Sequence, residues 1–450
     1  MELVLENAHL GAVHPDGKTI AFARDGKLWI GSLKGGQPRV FWPAPLPATA
    51  LIDWQFSPDG SLLAVENSGD FWVLPYPSGA PRRLYTLGNQ GMLWGGSWFP
   101  DSRRIVVAEE HYRESTSALI QIDVRGGHRR TIYPSPFVEY PSVAPDGERI
   151  AYDIGGDSAE VISVSLLDGR LDATAGEADA FWPDWAPSGT HFLFNTSSNR
   201  SQVQAIEDRD AANAGFSRRL IEGSVSQPRW SPDGTRFVFA EISSPIVKVK
   251  VASASSGHAV ALDEFPGHHP GMSWSPDGQW ISYIRGREGE QDLAKVRAVP
   301  GSTPVVLAKS DARGPDVTQW SPVGDWILYP AAGGLDLITP DGKTTRKLTG
   351  RRFQAYNFSR DGSQVYGIFE NTSGEGAQWQ LYSVNVRTGA EKLVAPVDLP
   401  RSTTFLIGLS IHPDGKRFLT SIVKWRFDVW MMEGFEQPQS KNWLTRMLNR

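Results

Sequence analysis

A four-residue motif built on Pro-Asp-Gly recurs ten times along this chain of 450 residues and restricts its fold more than any other feature. Successive copies lie between 38 and 53 residues apart, so the repeat extends over almost the whole chain. The ten copies are His14–Gly17, Ser57–Gly60, Phe99–Ser102, Ala144–Gly147, Ala186–Gly189, Ser231–Gly234, Ser275–Gly278, Ser321–Gly324, Ser359–Gly362 and His412–Gly415.

The chemistry of the motif is that of a tight hairpin turn. Pro presets the backbone for the second position of a type I turn, Asp suits the third, and Gly suits a left-handed fourth position. Four copies depart from the pattern, which we expect to weaken their turns without removing the strands around them. The departures are Ser102, Ser188, Val323 and Arg360.

Strands flank each turn. A large apolar residue stands two positions before the Pro, as at Trp98 and Trp230, and predicts a core position in every repeat. An alternating apolar run such as 236–240 follows the turn and is typical of a strand. Two more strands complete each repeat, and we name the four A to D in chain order. A period of about 40 to 45 residues with four strands predicts a β-propeller blade.

These repeats resemble the TolB-like propellers with Pro-Asp-Gly repeats, over about residues 8 to 435. The closing segment Phe427–Phe435 also resembles the C-terminal propellers of bacterial receptor-type Ser/Thr kinases and winged-helix regulators. That resemblance implies a module that recognises a partner outside the cytoplasm, in the periplasm or at the cell surface. It also implies an effector domain that precedes residue 1.

The predicted fold is all-β, with one closed ring of ten four-stranded antiparallel blades over residues 1–435. We expect strand C of the last repeat at Phe427–Met432, and the N-terminal strand Glu2–Leu5 beside it as the strand that completes the last blade. Two smaller propellers are the alternative, and a smaller ring with irregular extra repeats is a third possibility. Residues 436–450 form a tail with the pattern of a short amphipathic helix.

Composition excludes several classes of protein. The net charge of −5 argues against a nucleic-acid partner, because phosphate binding needs a basic face. No apolar stretch is long enough for a membrane-spanning helix, and the chain shows no signal peptide. The absence of Cys excludes disulfides and thiolate metal sites. We expect a monomer without cofactor or metal.

Candidate binding residues lie on the predicted face of D-to-A crossings and B-to-C loops, opposite the Pro-Asp-Gly turns. Exposed aromatic, Arg and His side chains are typical of binding hot spots. We selected Trp94, His111, Tyr112, Arg113, Trp182, His268, His269, Arg351 and Arg352 as the residues of a ligand or partner site. Trp94 and Trp182 are expected to be exposed anchors. Adjacent His268 and His269 would point to opposite sides of an extended segment and so would seldom share one metal ion.

No catalytic set is evident. The chain lacks a Gly-x-Ser-x-Gly motif and a phosphate-binding Gly-x-x-x-x-Gly-Lys loop. The first hypothesis is therefore a non-enzymatic binding or sensing module for a protein or polysaccharide, within a larger bacterial signalling protein. The alternative is a propeller lyase or hydrolase acting on a polysaccharide or peptide, with His111, His268 and His269 as its site. A third reading is a repeat protein without a known ligand.

Overall fold

The computed structural model describes most of the chain and shows strands in antiparallel sheets, without an α-helix in the described part. An all-β fold of repeated four-stranded sheets is a multi-blade β-propeller, which confirms the predicted fold class. No helix among the described residues could span a membrane. The described residues are 8–25, 27–42, 51–67, 69–88, 91–111, 116–135, 137–172, 179–196, 204–212, 217–243, 246–267, 270–286, 290–311, 317–371 and 378–435.

All ten predicted turns form. In each, the backbone N–H of the fourth residue donates to the carbonyl of the first at 2.8–3.1 Å. The fourth residue has a positive φ in every copy, and Ser102 adopts it with φ 53° in place of Gly. In the eighth turn Val323 replaces the Asp, but Asp325 accepts the hydrogen bond from Ser321 Oγ at 2.7 Å. The departures from the motif therefore leave the turn geometry intact.

The chain divides into two compact units, residues 1–156 with 427–450, and residues 157–426. The first unit contains three complete four-stranded sheets and one three-stranded group in its described part. Its complete sheets are β1–β4 (His9–Val13, Thr19–Arg24, Lys27–Ser32, Arg39–Trp42), β5–β8 (Leu51–Phe56, Leu62–Asn67, Asp70–Pro75, Arg82–Thr86) and β9–β12 (Gly91–Trp98, Arg104–His111, Thr116–Asp123, Arg129–Ser135). The three-stranded group consists of β13 (Glu139–Val143), the first part of β14 (Arg149–Ser165) and the last part of β37 (Arg417–Glu433).

The second unit contains six sheets. Five follow one another along the chain: β16–β19 (Ala180–Trp185, His191–Thr196, Ala205–Asp210, Ser217–Glu222), β20–β23 (Val225–Trp230, Arg236–Ser243, Ile246–Ser253, Ala259–Pro266), β24–β27 (Ser273–Trp274, Trp280–Arg285, Gln291–Arg297, Val305–Ser310), β28–β31 (Gln319–Trp320, Ile327–Ala331, Gly334–Ile338, Thr345–Thr349) and β32–β35 (Ala355–Phe358, Gln364–Asn371, Gln378–Asn385, Glu391–Val397). The sixth is made of β36 (Phe405–Ile411), the first part of β37, the second part of β14, and β15 (Leu171–Asp172).

The inner strands of the second unit form a closed circuit. Strand β16 packs beside β20, and the series continues through β24, β28, β32 and β36, which packs back against β16. Six blades thus close within residues 157–426. This differs from the predicted single ring of ten blades, because the repeat predicts each blade but not which inner strands become neighbours at closure.

The last repeat also differs from its prediction. Residues 427–432 are not a separate strand C, because β37 runs without interruption from Arg417 to Glu433. Its neighbours are β36 and β14. The segment Glu2–Leu5, predicted to complete the last blade, lies outside the described residues.

The apolar residue two positions before each Pro is a core position in eight repeats, as at Trp98 (5% exposed) and Trp230 (6% exposed). Val143 is half-buried, and Val13 is 54% exposed, so the prediction fails at these two positions. Both lie in the first unit. In that unit β1 packs beside β5.

Candidate ligand-binding site

A ring of polar side chains lines the centre of the second unit at its Pro-Asp-Gly end. Side chains alternate along a strand, so the residue three positions before the Pro faces inward when the next residue packs into the blade. These inward side chains line a cavity of about 420 Å³. They are Asp184, Arg229, Ser273, Gln319, Asn357 and Ser410.

Indole rings and turn residues complete the wall of this cavity. The Trp residues that precede the turns contribute from four neighbouring blades, and a Pro of each adjacent turn lies at the rim. Arg360 takes the place of the Pro in the ninth turn and adds a cation there. The Trp residues are Trp185, Trp230, Trp274 and Trp320.

The inward polar side chains also join neighbouring blades. The Trp230 N–H donates to Asp184 Oδ2 at 2.7 Å, and the Trp320 N–H donates to Ser273 Oγ at 2.9 Å. The Trp185 N–H donates to Ser410 Oγ at 2.9 Å, which links the last blade of the circuit to the first. Each of these acceptors satisfies a backbone donor of the following blade, so the wall of the cavity is held rigidly.

Asp184 and Arg229 are the charged members of the ring. Asp184 Oδ1 lies 3.9 Å from Arg229 Nη1 and accepts a hydrogen bond from Ser410 Oγ at 2.9 Å. Burial raises the pKa of Asp184, although Arg229 opposes the shift, and burial lowers the pKa of Arg229. Both shifts have the direction expected when a charge loses water.

Trp182 lies in the interior of the unit, where the Arg229 guanidinium faces its ring. Its side chain is 4% exposed, and the Arg229 guanidinium carbon lies 5.8 Å from the centre of its ring. It packs in one apolar cluster with Val317, Tyr356 and Ile407. The prediction that Trp182 is an exposed anchor is therefore wrong. A bulge in β16 between Phe181 and Asp184 gives Trp182 a positive φ of 56° and turns it inward.

Arg351 and Arg352 belong to the same unit, and each already has a protein partner. Arg351 pairs with Glu391 at 2.9 Å and lies over the Tyr382 ring at 4.1 Å. Arg352 pairs with Asp311 at 2.7 Å and is 41% exposed. Neither residue lines the cavity.

Trp94 and His111 belong to the first unit. Trp94 is half-buried, and its Nε1 donates to Glu110 Oε2 at 2.7 Å. His111 Nε2 lies 3.2 Å from Glu109 Oε1. The Tyr85 hydroxyl donates to the same Glu109, and burial together with this carboxylate raises the pKa of Tyr85.

The structure describes five of the nine predicted site residues. Two lie in the first unit and three in the second. The remaining four, Tyr112, Arg113, His268 and His269, lie outside the described residues.

The described part of the chain contains no group of three or more His, Asp or Glu side chains that could hold a metal ion. Of the three His residues on which the enzyme alternative depends, the structure describes only His111. The enzyme alternative stays a prediction.

Sequence reasoning overlooked the inward ring, although a signal was present. The position three before the Pro is polar in nine of the ten copies, and Ala12 is the exception. In the first unit Gln55 and Ser97 accept from the N–H groups of Trp98 and Val143 in the same way. A recurrent polar residue next to a buried aromatic residue indicates an inward, hydrogen-bonded position.

The chain was compared with protein families, curated proteins and solved structures. No protein-family model and no curated protein matches the chain. Solved structures do: TolB from Acinetobacter baumannii shares 14% identity, with 73% of this chain and 76% of that one covered and a TM-score of 0.31.

An oligogalacturonate lyase from Vibrio parahaemolyticus is also similar, at 14% identity over 65% of this chain and 89% of the lyase, with a TM-score of 0.28. A chain of a nidogen/laminin complex is 11% identical over 56% of this chain and 97% of its own length, with a TM-score of 0.42.

Proposed function

We propose that this protein is a non-enzymatic binding propeller and that an acidic segment of a partner protein enters the cavity of the second unit. Arg229 carries the proposal. It is 7% exposed, lines the cavity and lies 3.9 Å from Asp184, which is too long for a hydrogen bond. Its hydrogen bonds, at 3.3 and 3.5 Å to the carbonyls of Pro183 and Pro228, both come from Nη1.

Arg229 therefore has donors left for a ligand. Among the described residues, neither Nη2 nor Nε of Arg229 makes a hydrogen bond to the protein. A guanidinium fork matches a carboxylate in a bidentate arrangement, and such charge-assisted bonds are the strong ones. Arg360 at the rim adds a second positive charge on the path into the cavity. A peptide carboxylate is the group that fits the two positive charges of Arg229 and Arg360.

The cavity suits a short polar segment. Its volume of about 420 Å³ lies at the small end of ligand pockets and admits one or two side chains or a chain terminus. The indole rings supply apolar and aromatic surface beside the polar ring, a combination typical of hot spots. From the resemblance of the sequence, we place the protein outside the cytoplasm as a module of a larger bacterial signalling protein.

The test uses short random peptides displayed on phage and selected on the purified protein. The best peptide is synthesised, and its affinity is measured by fluorescence anisotropy. We expect selected peptides to contain Asp or Glu, and Arg229→Gln and Arg360→Glu each to weaken binding about tenfold or more, since hydrogen bonds to charged groups contribute about 1.5–3 kcal/mol. Thermal melts establish that both variants are folded.

The matched control is the double variant Arg351→Ala, Arg352→Ala, which alters the predicted crossing-loop site and leaves the cavity unchanged. It should keep the affinity of the wild-type protein. Loss of binding in this variant, together with normal binding by Arg229→Gln, would place the ligand on the crossing-loop face. Failure to select any acidic peptide would contradict the proposed ligand.

A further inference from the structure

A basic pocket lies on the third blade, β9–β12, within the first unit. Its volume is about 250 Å³, and strands β10, β11 and β12 carry its wall near the turn that joins β11 to β12. The pocket is lined by Arg104, Gln121, Asp123, His128, Arg129 and Arg130. Four of these six residues are Arg or His, whereas the chain as a whole has a net charge of −5.

Strand pairing places most of the lining side chains on one face of the blade. Gln121 lies opposite Arg130, and Asp123 lies opposite Arg104. The Asp123 N–H donates to the His128 carbonyl at 2.9 Å, so His128 is the neighbour of Asp123 on the outer strand. Because residues two apart on a strand share a face, His128 and Arg130 project to the same side as Gln121.

The carboxylates near the pocket are already paired with other cations. Arg103 Nη2 lies 2.7 Å from Asp123 Oδ2, and its hydrogen bond lowers the pKa of Asp123 to about 2. Arg104 Nε lies 2.6 Å from Asp101 Oδ2. Arg130 has no carboxylate partner among the described residues. Its positive charge is therefore the one that the pocket leaves uncompensated.

Other repeats show that Arg130 departs from a structural role. In the second, fifth and eighth repeats, the residue two positions before the bulge of strand D is an Arg whose Nη2 donates to a carbonyl of the following blade. These bonds are Arg82 to Val124, Arg218 to Ala254 and Arg346 to Val386. Arg130 has the same position relative to the bulge of β12, but its Nε and Nη2 both donate to Gln121 Oε1.

The residue opposite this Arg also differs between blades. In the fifth blade it is Asp208, whose Oδ2 lies 3.2 Å from Arg218 Nη2. In the third blade it is Gln121, a neutral amide that orients the Arg130 guanidinium without cancelling its charge. Gln121 is 8% exposed, so its packing holds this arrangement in place.

Three hydrogen-bond donors remain on this face. Gln121 Oε1 accepts both bonds from Arg130, which leaves the Gln121 Nε2 group as a donor. Among the described residues, neither this group, nor Arg130 Nη1, nor the imidazole of His128 has a hydrogen-bond partner. Three donors from three side chains, beside an uncompensated cation, suit an anion with three acceptor oxygens.

We propose that this pocket binds a phosphate group, either as the free ion or as the monoester of a small molecule. A phosphomonoester carries three strong acceptor oxygens and a charge of about −1.5 to −2 at pH 7. The guanidinium of Arg matches phosphate in geometry as well as charge. A carboxylate has two oxygens and would leave one of the three donors unused. The site belongs to the first unit and is independent of the cavity that contains Arg229.

Isothermal titration calorimetry of the full-length protein with inorganic phosphate and with glycerol 3-phosphate tests the proposal. We expect one binding site, and Arg130→Gln should weaken binding at least tenfold. Gln121→Glu should weaken it as strongly, because it places a carboxylate opposite Arg130 as in the fifth blade. Arg218→Gln, at the equivalent position of the fifth blade, is the matched control and should keep the wild-type affinity.

The two ligands distinguish the source of the phosphate. Tighter binding of glycerol 3-phosphate would assign the pocket to an organic phosphate, and equal affinities would assign it to the free ion. The proposal would be overturned if the wild-type protein bound neither ligand. Equal affinities of the wild type and of Gln121→Glu, which thermal melts show to be folded, would also overturn it.

Discussion

At the scale of the residue, some of the inward side chains three positions before the Pro do two things at once. Asp184 and Ser273 line the centre of the second unit, and each accepts a hydrogen bond from the backbone of the next blade. Ser410 closes the series, because it accepts from the Trp185 N–H and donates to Asp184 Oδ1. These polar side chains therefore join neighbouring blades and are also available to a ligand in the cavity.

Ser410→Ala should destabilise the protein by about 1–3 kcal/mol, because it leaves the buried Trp185 N–H without its acceptor. Denaturant unfolding followed by Trp fluorescence measures the change. Ser363→Ala is the matched control, since Ser363 is an exposed turn residue that donates only to Asp361, and it should change stability by less than about 0.5 kcal/mol. Equal effects of the two substitutions would contradict the role of Ser410.

At the scale of the element, strand A is interrupted by a bulge in many repeats. Six repeats have a positive φ five residues before the Pro position, at Gly95, Tyr140, Trp182, Gln227, Gly271 and Gly408. Three of these residues are Gly, and the other three adopt a conformation that costs side chains about 1–2 kcal/mol. The bulge turns the following side chains and explains why Trp182 is buried.

Gly95→Ala should be more destabilising than Gly127→Ala. Both positions have a positive φ, 80° and 69°, so both substitutions carry the left-handed cost of about 1–2 kcal/mol. A Cβ at Gly95 would also lie 3.0 Å from the Tyr140 ring, whereas nothing lies within 4 Å at Gly127. Thermal unfolding of the two variants compares them, and identical melting temperatures would show that the bulge tolerates a methyl group.

At the scale of the whole molecule, two strands take part in both compact units. Strands β14 and β37 are each 17 residues long, and the boundary between the units falls within both. The second unit is nevertheless continuous in sequence from 157 to 426. Its ends are neighbours in one sheet, where Lys424 Nζ pairs with Glu160 Oε2 at 2.6 Å.

The isolated fragment 157–426 should therefore fold on its own. It contains every strand of its six sheets, so we expect a β-sheet circular dichroism spectrum and one cooperative unfolding transition by calorimetry. The fragment 8–156 lacks the partner of β14 and is the control that should not fold stably. An unfolded 157–426 fragment would contradict the closed circuit of six blades.

The comparison of sequence with structure separates local from long-range features. The ten turns were predictable, including those at Ser102 and Val323, because each needs only its own few residues. The burial of Trp182 was not predictable from the sequence, because it depends on a bulge in the middle of a strand. The polar ring was visible as a recurrent position but was overlooked beside the more conspicuous Trp residues.

The sequence by itself determined the unit of construction, a four-stranded blade with a Pro-Asp-Gly turn. Pro, Asp and Gly act on the backbone within four residues, so no distant contact is needed. Only the tertiary structure decided how blades are grouped. Strand β37 pairs with β14, and their contact at Lys424 and Ser158 is separated by 266 residues. Backbone pairing has the same chemistry for any two strands, so the choice of partner depends on the packing of the whole unit.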